Sequence, residues 1–596
     1  MSAAAELPRR AAAAVRARPG TAAIVCLGIC WGLVMHSMGW AQLAHFAQVR
    51  ALADGNAEID RYHWETKDKG WVDGHFYSVK SPGVAALSLP AYLALDAAGG
   101  WGLAEDAARN ARDAEFPRWA ARYDPPLENY GYDYDRARAV EATIERGAPM
   151  VWALTLIVAV IPAVLLLLAV RSVADRLEPG YGTAAAITLG LGTIVMSFAS
   201  EYFSHVIAAA LGFGAFWVLF REREGPPRPA LVAVAGLLAG LAVTFEFQVG
   251  LVGVVLFAYA LARSAPRLPR AALYAAGAML GAVPALAFNW WALGSPFEFA
   301  YAHAVEVQGI TGHDHVGLND DGFFGIGAPR VDSAVELLIG DRGLITLTPV
   351  IALAVAGVVM MRRAGRRVEA AVVAAVALAY FVYNAGYWLP FGGGSPGPRF
   401  LIPALPFLAL GLAFAYRRLP ATTLALAIPS LLFMGAAAIS FPLLGEQGPG
   451  EWADFIEDAH LEHTVFTALG VSNAWLALAP AIAAGLAAIW FAARATPSTA
   501  VTDIRVAVAA VAGWAVVAVV GPSIAGSLAA PLDGDPNALK MIAVFAAASL
   551  LALGAIALRA RRAQPAAAEP PAGEPAARPA EATGAPAPAA AGERSS

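Results

Sequence analysis

Charged residues are scarce in this sequence. Aspartate, glutamate, lysine and arginine make up 15% of its 596 residues, whereas soluble globular domains contain about 25%. Hydrophobic residues account for 58% of the chain, and the mean hydropathy is +0.57. This composition excludes an ordinary soluble domain and indicates a protein that lies largely within a lipid bilayer.

Cysteine is nearly absent as well. The two cysteines, Cys26 and Cys30, lie one helical turn apart within the first apolar run. In such a run they pack as small apolar side chains more often than they bind a metal or form a redox pair. The sequence therefore excludes a framework of several disulfides.

Several functional signatures are also missing. The chain has neither a P-loop nor a dinucleotide-binding fingerprint, which disfavours nucleotide as a direct source of energy. It shows no internal repeat and no matched pair of interrupted apolar segments in two halves, which is the pattern of many secondary transporters. The net charge of -5 disfavours nucleic-acid binding.

Long apolar runs are abundant instead. A helix needs about 20 apolar residues to cross a hydrocarbon core of about 30 Å, and the runs lack the alternation that a membrane strand requires. They fall at residues 21–42, 150–170, 183–200, 204–220, 229–245, 247–262, 271–291, 344–361, 368–388, 400–416, 420–444, 472–493, 505–525 and 538–558. The sequence therefore predicts an all-α polytopic membrane protein with about fourteen transmembrane helices.

Arginine residues predict the orientation of these helices. They cluster in the N-terminal segment, in the short connections that would all lie on one side of the membrane if every run spans it, and in residues 559–562. By the positive-inside rule these connections face the cytoplasm. We therefore predict a multi-pass protein of the bacterial plasma membrane, with both termini in the cytoplasm and long extracytoplasmic loops at 43–149 and 292–343.

The predicted helices divide the chain into four parts. Residues 1–20 form a cytoplasmic N-terminus ahead of an uncleaved anchor helix, and residues 21–420 form the main transmembrane module. Residues 421–562 contain the C-terminal transmembrane helices. Residues 563–596 are rich in proline and alanine with little to bury, which predicts a disordered cytoplasmic tail.

The first long loop, residues 43–149, is rich in carboxylates. It contains Asp60, Asp68 and Asp73 together with Lys80 and several aromatic side chains. Residues 84–98 are apolar but too short to span, so they predict a helix on the membrane surface. Because binding and catalytic residues concentrate in loops held by a rigid scaffold, this loop is the first candidate for a functional site.

Four segments, in this order, resemble the GT-C class of polytopic membrane glycosyltransferases. They are residues 73–83 (DGHFYSVKSPG), 289–297 (NWWALGSPF), 341–349 (DRGLITLTP) and 392–403 (GGGSPGPRFLIP). The class includes the protein mannosyltransferases and the aminoarabinose transferase of lipid A, which use polyprenyl-phosphate sugars as donors. The resemblance covers most of residues 20–415 and implies a GT-C-like catalytic module over residues 21–420.

The resemblance also implies an activity. A hexosyl or pentosyl group would pass from a polyprenyl-phosphate donor to an extracytoplasmic acceptor, which is a cell-envelope glycan, lipid or protein, with inversion if the attack is direct. The alternative is a non-catalytic transporter or flippase, or an assembly factor, for lipid-linked envelope glycans. A transporter places its ionisable residues near the middle of the membrane, whereas here they are predicted outside.

The base that such a transfer needs is sought among three aspartates. Members of the class carry an acidic pair directly after the first helix, but this chain has Gln42 and His45 in that stretch. Asp60 is the first candidate, because an aromatic neighbour would raise its pKa, and Asp68 and Asp73 follow. The competing interpretation of Asp60 is a capping or salt-bridged aspartate.

Cations and polar groups complete the predicted site. Lys80, Arg342 and Arg399 lie at predicted external helix ends, where they either bind the phosphate of the donor or anchor the chain at the membrane interface. The predicted substrate pocket adds Tyr77, Glu201, His205 and Glu246.

Two further segments leave their roles open. Residues 312–315 (GHDH), with Asp320 and Asp321, contain metal-ligand types without a recognised spacing, so a divalent cation, Mg²⁺ or Mn²⁺, stays open as a cofactor. The run at 118–138 is rich in tyrosine, aspartate and arginine, which suits either acceptor binding or a soluble cap.

Overall fold

The computed structural model describes residues 18–113, 133–263, 266–304, 325–443, 448–527 and 529–563. The predictions for the N-terminal residues 1–17, for residues 118–132 and 312–321, and for the tail from 564 onward lie outside these described residues. In the described parts the chain is mostly helical, with four short strands.

The α-helices are named in chain order. They are α1 (Pro19–Gly32), α2 (Trp40–Ala53), α3 (Gly83–Ala97), α4 (Gly100–Asp113), α5 (Tyr134–Thr155), α6 (Ile161–Leu177), α7 (Gly182–Leu191), α8 (Val195–Phe198), α9 (His205–Glu224), α10 (Pro229–Phe245), α11 (Gly250–Leu261), α12 (Arg267–Leu293), α13 (Val331–Ile339), α14 (Leu344–Leu347), α15 (Val350–Arg363), α16 (Arg367–Gly386), α17 (Leu405–Arg418), α18 (Pro420–Ile439), α19 (Pro449–Glu457), α20 (Val465–Ala468), α21 (Ala474–Ala495), α22 (Ile504–Ala525) and α23 (Pro536–Ala563).

Short elements link these helices. Strands β1 (Val34–Met35) and β4 (His463–Thr464) pair antiparallel, as do β2 (Lys69–Val72) and β3 (His75–Ser78). Turns of 3₁₀-helix lie at His63–Glu65, Phe247–Val249, Ala300–His303, Arg399–Ala404 and Pro531–Asp533, and a turn of π-helix at Leu156–Val160 joins α5 to α6.

Nine of the described helices are long and apolar enough to cross a membrane, and the number rises to eleven if each of two bent pairs counts as one span. The longest is the 44-residue helix Tyr134–Leu177. The bent pairs are α3 with α4, at 84°, and Val331–Leu347 with α15, at 91°. The protein is therefore an all-α, multi-pass membrane protein, as the apolar runs predict.

The number of full spans differs from the prediction. Each of the fourteen apolar runs contains a helix, but α1, α7, α10 and Phe247–Leu261 are only 10–17 residues long. The first run, 21–42, shows the reason. Its helix α1 ends at Gly32, strand β1 follows, and a second helix that the hydropathy did not reveal, α2, begins at Trp40. Hydropathy measures composition, so it cannot detect a break between two apolar elements.

Ion pairs between arginines and glutamates join the helix ends at one end of the bundle. Glu222, at the end of α9, lies 2.9 Å from both Arg263 and Arg270, which flank the start of α12. Glu178, after α6, accepts hydrogen bonds from Arg417 and Arg418 at the end of α17. The arginine-rich connections that the sequence assigns to one side of the membrane therefore meet at one end of the structure.

The first loop folds against the opposite end. Helix α2 is buried from Ala41 to Ala51, and the β2–β3 hairpin turns at Asp73 and Gly74, both with positive φ, as a two-residue Asp-Gly turn requires. Gly70 of β2 bridges to Ala304 beside the 3₁₀ turn Ala300–His303. The hairpin thereby joins the first loop to the segment after α12.

The C-terminal helices pack onto the rest of the bundle. Strand β4 pairs with β1 directly after α1, and the Trp514 indole on α22 donates a hydrogen bond to the Thr346 carbonyl. Phe433 on α18 contacts Phe545 on α23, with 4.7 Å between ring centroids. Residues after 420 are therefore tied to both the first helix and the middle of the chain.

The backbone of the hairpin at Gly70 lies very close to the backbone at Ala300. A Cβ at Gly70 would lie 2.4 Å from the Ala300 carbonyl oxygen, so Gly70→Ala must push the two segments apart, at a cost of roughly 1–3 kcal/mol. Hydrogen exchange should show faster opening of β2 and β3 in this variant. Gly102→Ala in α4 is the control, because no described atom lies within 4 Å of its Cβ position. Equal exchange in the two variants would contradict this account of the contact.

Candidate functional site

An ion pair joins the two ends of the β2–β3 hairpin. Asp68 directly precedes β2 and Lys80 follows β3, and the register pairs Lys69 with Ser78, so both side chains leave the hairpin at the same end. The Lys80 ammonium lies 2.6 Å from the Asp68 carboxylate. Both side chains are largely buried, which strengthens their attraction relative to an exposed pair.

A small cavity of about 20 Å³ lies beside Lys80, which is room for about one ordered water molecule. The wall combines polar groups with several aromatic rings. Its side chains include Gln48, Tyr77, Lys80, Phe247, Phe288, Asn289, Phe299 and Tyr301. The cavity therefore joins the first loop to the ends of α10 and α12, and it contains the predicted residues Tyr77 and Lys80.

Three predicted residues meet at the helix ends nearby. Glu246, between α10 and α11, lies 2.9 Å from the His205 ring nitrogen at the start of α9 and accepts a hydrogen bond from the Ser204 hydroxyl. The His205 ring stacks on Phe203 with 5.6 Å between centroids. The Arg399 guanidinium lies 5.4 Å from the centre of the same Phe203 ring.

His45 lies close both to the charged pair of the first loop, Asp68 and Lys80, and to Glu246 at the helix ends. Burial lowers the pKa of this α2 side chain to about 3, and the Lys80 ammonium lowers it further, while Glu246 and Asp68 act in the opposite direction. Tyr301 likewise lies within the electrostatic influence of both Asp68 and Arg399. Residues far apart in the sequence are therefore neighbours around His45 and Tyr301.

Arg342 reaches the same region through a glycine turn. Gly392 and Gly393 have φ of +80° and +104°, a conformation that favours glycine. The Arg342 guanidinium donates a hydrogen bond of 3.0 Å to the Gly393 carbonyl, and the Arg399 guanidinium lies within 4 Å of the position that a Gly393 Cβ would occupy. The turn therefore lies between two arginines from separate sequence segments.

Comparisons with known proteins add a likeness to solved structures. No protein-family model and no curated protein matches the chain. ArnT from Cupriavidus metallidurans in the apo state is 13% identical with a TM-score of 0.42, over 82% of this chain and 78% of that chain. The same protein bound to undecaprenyl phosphate gives 13% and 0.43, over 79% and 74%. A likeness at this level assigns no role to any residue of this chain.

Asp60 and Asp73 occupy exposed positions, Asp73 in the turn of the hairpin and Asp60 ahead of β2. The Asp60 carboxylate lies 2.7 Å from the His75 ring and accepts a 2.6 Å hydrogen bond from the Phe76 backbone N–H. This partner raises the pKa of His75 above its usual value. Asp73 forms the hairpin turn with Gly74. Both aspartates have structural contacts there, whereas Asp68 faces Lys80.

Glu201 belongs to a second buried cluster. It accepts a 2.6 Å hydrogen bond from the Gln42 amide, and it lies 3.8 Å from the His36 ring, which is also 3.7 Å from Glu462. His36, Gln42 and Glu201 line a separate small cavity of about 10 Å³. Burial raises the pKa of Glu201 to about 7. The structure thus separates Glu201 from the cavity beside Lys80.

The described residues contain no group of three or more histidine, cysteine, aspartate or glutamate side chains arranged to hold a metal ion. The ligand-type residues between 312 and 321 lie outside those described residues.

The sequence prediction missed His45 and Gln48 of α2. Both side chains are 1% exposed, and Gln48 lines the cavity. Their spacing in the sequence is a signal, since Gln42, His45 and Gln48 recur every three residues among apolar neighbours and so lie along one side of a helix. That helix was hidden, because its first residues appear to continue the first apolar run.

A buried lysine next to the ion pair yields a pH prediction. Lys69 is 1% exposed and donates a 2.7 Å hydrogen bond to the His63 carbonyl. Burial, and secondarily the Lys67 charge, lowers the pKa of Lys69 from 10.5 to about 7. The unfolded chain therefore binds this proton more tightly than the folded one, so stability rises with pH between about 7 and 10.5, on the order of 1.4 kcal/mol per pH unit.

Replacing that lysine removes the dependence. Lys69→Met should stabilise the protein near pH 7, and the difference from wild type should shrink towards pH 10, as measured by thermal unfolding in detergent. Lys540→Met, at an exposed lysine paired with Glu457, is the control and should retain the wild-type pH slope. The explanation fails if Lys69→Met retains that slope.

Proposed function

We propose that this protein is a glycosyltransferase that moves a sugar from a polyprenyl-phosphate donor to a cell-envelope acceptor outside the bacterial plasma membrane. One observation carries the proposal. Lys80, which pairs with Asp68, lines a small cavity, and Arg399 belongs to the same charge cluster. A carboxylate and two cations around a cavity suit attack by a hydroxyl with departure of a phosphate.

The convergence of the four GT-C-like segments supports this assignment. Residues 73–83 supply Tyr77 and Lys80 to the cavity, and Asn289 and Leu293 line it from the end of α12. Residues 341–349 and 392–403 meet at the hydrogen bond between Arg342 and Gly393. Segments that resemble one enzyme class in sequence are thus gathered at one end of the bundle.

The orientation follows from the arginine residues at the opposite end. Glu222 and Glu178 bind arginines there, and basic connections remain in the cytoplasm during insertion. The cavity and the first loop then face the outside, with both termini in the cytoplasm. A donor lipid would reach the cavity laterally from the bilayer.

Asp68 is the base that the geometry favours. It would accept the proton of the acceptor hydroxyl, whose oxygen attacks the anomeric carbon as the bond from that carbon to the phosphate oxygen breaks. The electron pair leaves with the lipid phosphate, and a single displacement of this kind inverts the anomeric configuration. Asp60 and Asp73 are less suited, since their contacts shape the exposed edge of the hairpin.

Lys80 and Arg399 would stabilise the departing phosphate. The Lys80 ammonium has three N–H donors, so it can bind a phosphate oxygen while it still contacts Asp68. The planar Arg399 guanidinium can donate two parallel hydrogen bonds to phosphate. Binding of the donor would thus draw Lys80 partly away from Asp68, and the carboxylate would become a better base as the donor binds.

Replacement of Asp68 tests the base. Asp68→Asn should lower the transfer rate by roughly 10²–10⁴-fold, which is the usual contribution of a general base, while binding of the donor lipid persists. The assay incubates purified protein with radiolabelled polyprenyl-phosphate sugars and envelope acceptors. Asp106→Asn, at an exposed position in α4, is the matched control.

Asp60→Asn separates the competing assignments in the same assay. Full transfer by Asp68→Asn together with loss in Asp60→Asn would move the base to Asp60. Movement of labelled lipid across the membrane without transfer to any acceptor would favour a flippase over the enzyme.

A further inference from the structure

An open groove of about 360 Å³ lies at the arginine-rich end of the bundle, between the ends of α6 and α9 and the start of α10. This volume falls within the range of small-molecule sites, roughly 300–1,000 Å³. Charged side chains and apolar side chains share the lining of the groove. They include Arg176, Trp217, Arg221, Glu224, Arg228 and Leu231. The groove therefore suits a ligand that has both a charged part and an apolar part.

The charges that line the groove do not balance. Glu224 lies 3.0 Å from Arg176, so these two side chains neutralise each other. The Arg221 guanidinium lies 5.9 Å from the centre of the Trp217 ring. In the described parts of the chain neither Arg221 nor Arg228 forms an ion pair with a carboxylate. Two positive charges of the groove are thus left without a counter-charge from the protein.

Other arginines at this end of the bundle have carboxylate partners. Arg270 lies 2.9 Å from Glu222, and Arg418 lies 3.0 Å from Glu178. The fold supplies the counter-charge in both cases, and these pairs hold helix ends together. The two uncompensated arginines of the groove differ, because an anion from outside the protein can bind them without displacing an internal partner.

A half-buried stripe on α9 leads away from the groove into the apolar part of the helix. Leu211, Gly214 and Trp217 are partly exposed, whereas the residues between them are buried. Their three-residue spacing puts them along one side of the helix. Outside α9 itself, a Cβ at Gly214 would contact only the Leu238 side chain of α10, at 3.8 Å. The stripe therefore leaves a shallow channel in which an acyl chain can lie.

The chemistry of the groove specifies an anionic headgroup. A guanidinium can donate two parallel hydrogen bonds to phosphate oxygens, and basic pockets between helices on the cytoplasmic side bind anionic lipid headgroups. The positive-inside rule assigns the arginine-rich end to the cytoplasm. A zwitterionic lipid brings its own ammonium close to the arginines, which weakens the attraction.

We propose that this groove binds an anionic phospholipid of the cytoplasmic leaflet, with its phosphate at Arg221 and Arg228 and one acyl chain along Leu211, Gly214 and Trp217. The groove lies at the end of the bundle opposite the cavity beside Lys80. Lipid binding there requires no glycosyl transfer, so this inference is independent of the proposed function.

Lipid binding to the purified full-length protein tests the site. Native mass spectrometry in neutral detergent gives the affinities for phosphatidylglycerol and for phosphatidylcholine with the same chains. Wild type should bind phosphatidylglycerol about 25-fold more tightly, because each arginine near an anionic headgroup changes the affinity by about fivefold. The double variant Arg221→Gln/Arg228→Gln should lose this preference. Added salt should also weaken it, since both arginines are exposed.

The double variant Arg494→Gln/Arg505→Gln is the matched control. Both arginines are exposed, and Arg494 lies 3.7 Å from the centre of the Trp490 ring, a contact like the one that Arg221 makes. They flank the connection between α21 and α22, which contacts the residues after α6. This control removes the same charge at the same end of the bundle and should keep the preference for phosphatidylglycerol. Equal losses in the two double variants would contradict a specific site.

Gly214→Leu tests the position of the acyl chain. The added side chain occupies the channel and should weaken the binding of long-chain phosphatidylglycerol by about tenfold, the effect of roughly two lost methylene contacts. Gly513→Leu is the control, because no described atom lies within 4 Å of its Cβ position in α22. Thermal unfolding in detergent checks that each variant folds. Unchanged affinity in Gly214→Leu would contradict the placement of the chain.

Two competitors identify the source of the phosphate. Inorganic phosphate that displaces phosphatidylglycerol at equal concentration would make the groove a site for free phosphate and contradict the proposal. Tighter binding of a polyprenyl phosphate, lost in Arg221→Gln/Arg228→Gln, would make it a site for the carrier lipid and also contradict the proposal. Equal affinity of wild type for the two phospholipids would do the same. Sugar transfer is not measured in these assays, so none of these results bears on the proposed function.

Discussion

Pairing of buried charges determines how this bundle is assembled. An isolated charge removed from water costs several kcal/mol. Pairing offsets much of that cost for Glu222 with Arg270, which lie 48 residues apart, and for Arg50 with Glu65 and Asp68 with Lys80, which both pair within the first loop. The first pair gathers helix ends at the arginine-rich end. The other two hold segments of the first loop to one another at the opposite end, beside the cavity that Lys80 lines.

Much of the fold is predictable from the sequence, because hydropathy is a local property. Each apolar run contains a helix, and the helix Gly83–Ala97 lies where a short apolar segment predicts one. The breaks within apolar stretches are not predictable in this way. The end of α1 at Gly32 coincides with the pairing of β1 with β4, a contact that composition does not record. The 91° bend before α15 falls instead at Pro349, where proline disfavours an unbroken helix.

The candidate site is predictable only in part, because strand register is invisible to composition. Sequence reasoning ranks Asp60 above Asp68, yet the pairing of Lys69 with Ser78 directs Asp68 towards Lys80 and leaves Asp60 on the exposed edge beside His75. A register shifted by one residue would reverse the faces of the hairpin. His45 was hidden for another reason, since the first residues of α2 read as a continuation of the first apolar run.

Helix α2 links buried polar and charged pairs to the cavity beside Lys80. Near its start Gln42 binds Glu201, and near its end Arg50 pairs with Glu65 and lies 4.3 Å from the Phe46 ring. A helix fastened at both ends holds His45 and Gln48 between those attachments, on a backbone whose own hydrogen bonds are complete. Binding groups held on rigid elements lose little freedom when a ligand arrives. Helix α2 therefore fixes one wall of the cavity beside Lys80, because Gln48 lines that cavity and cannot shift without breaking an attachment at one end of the helix.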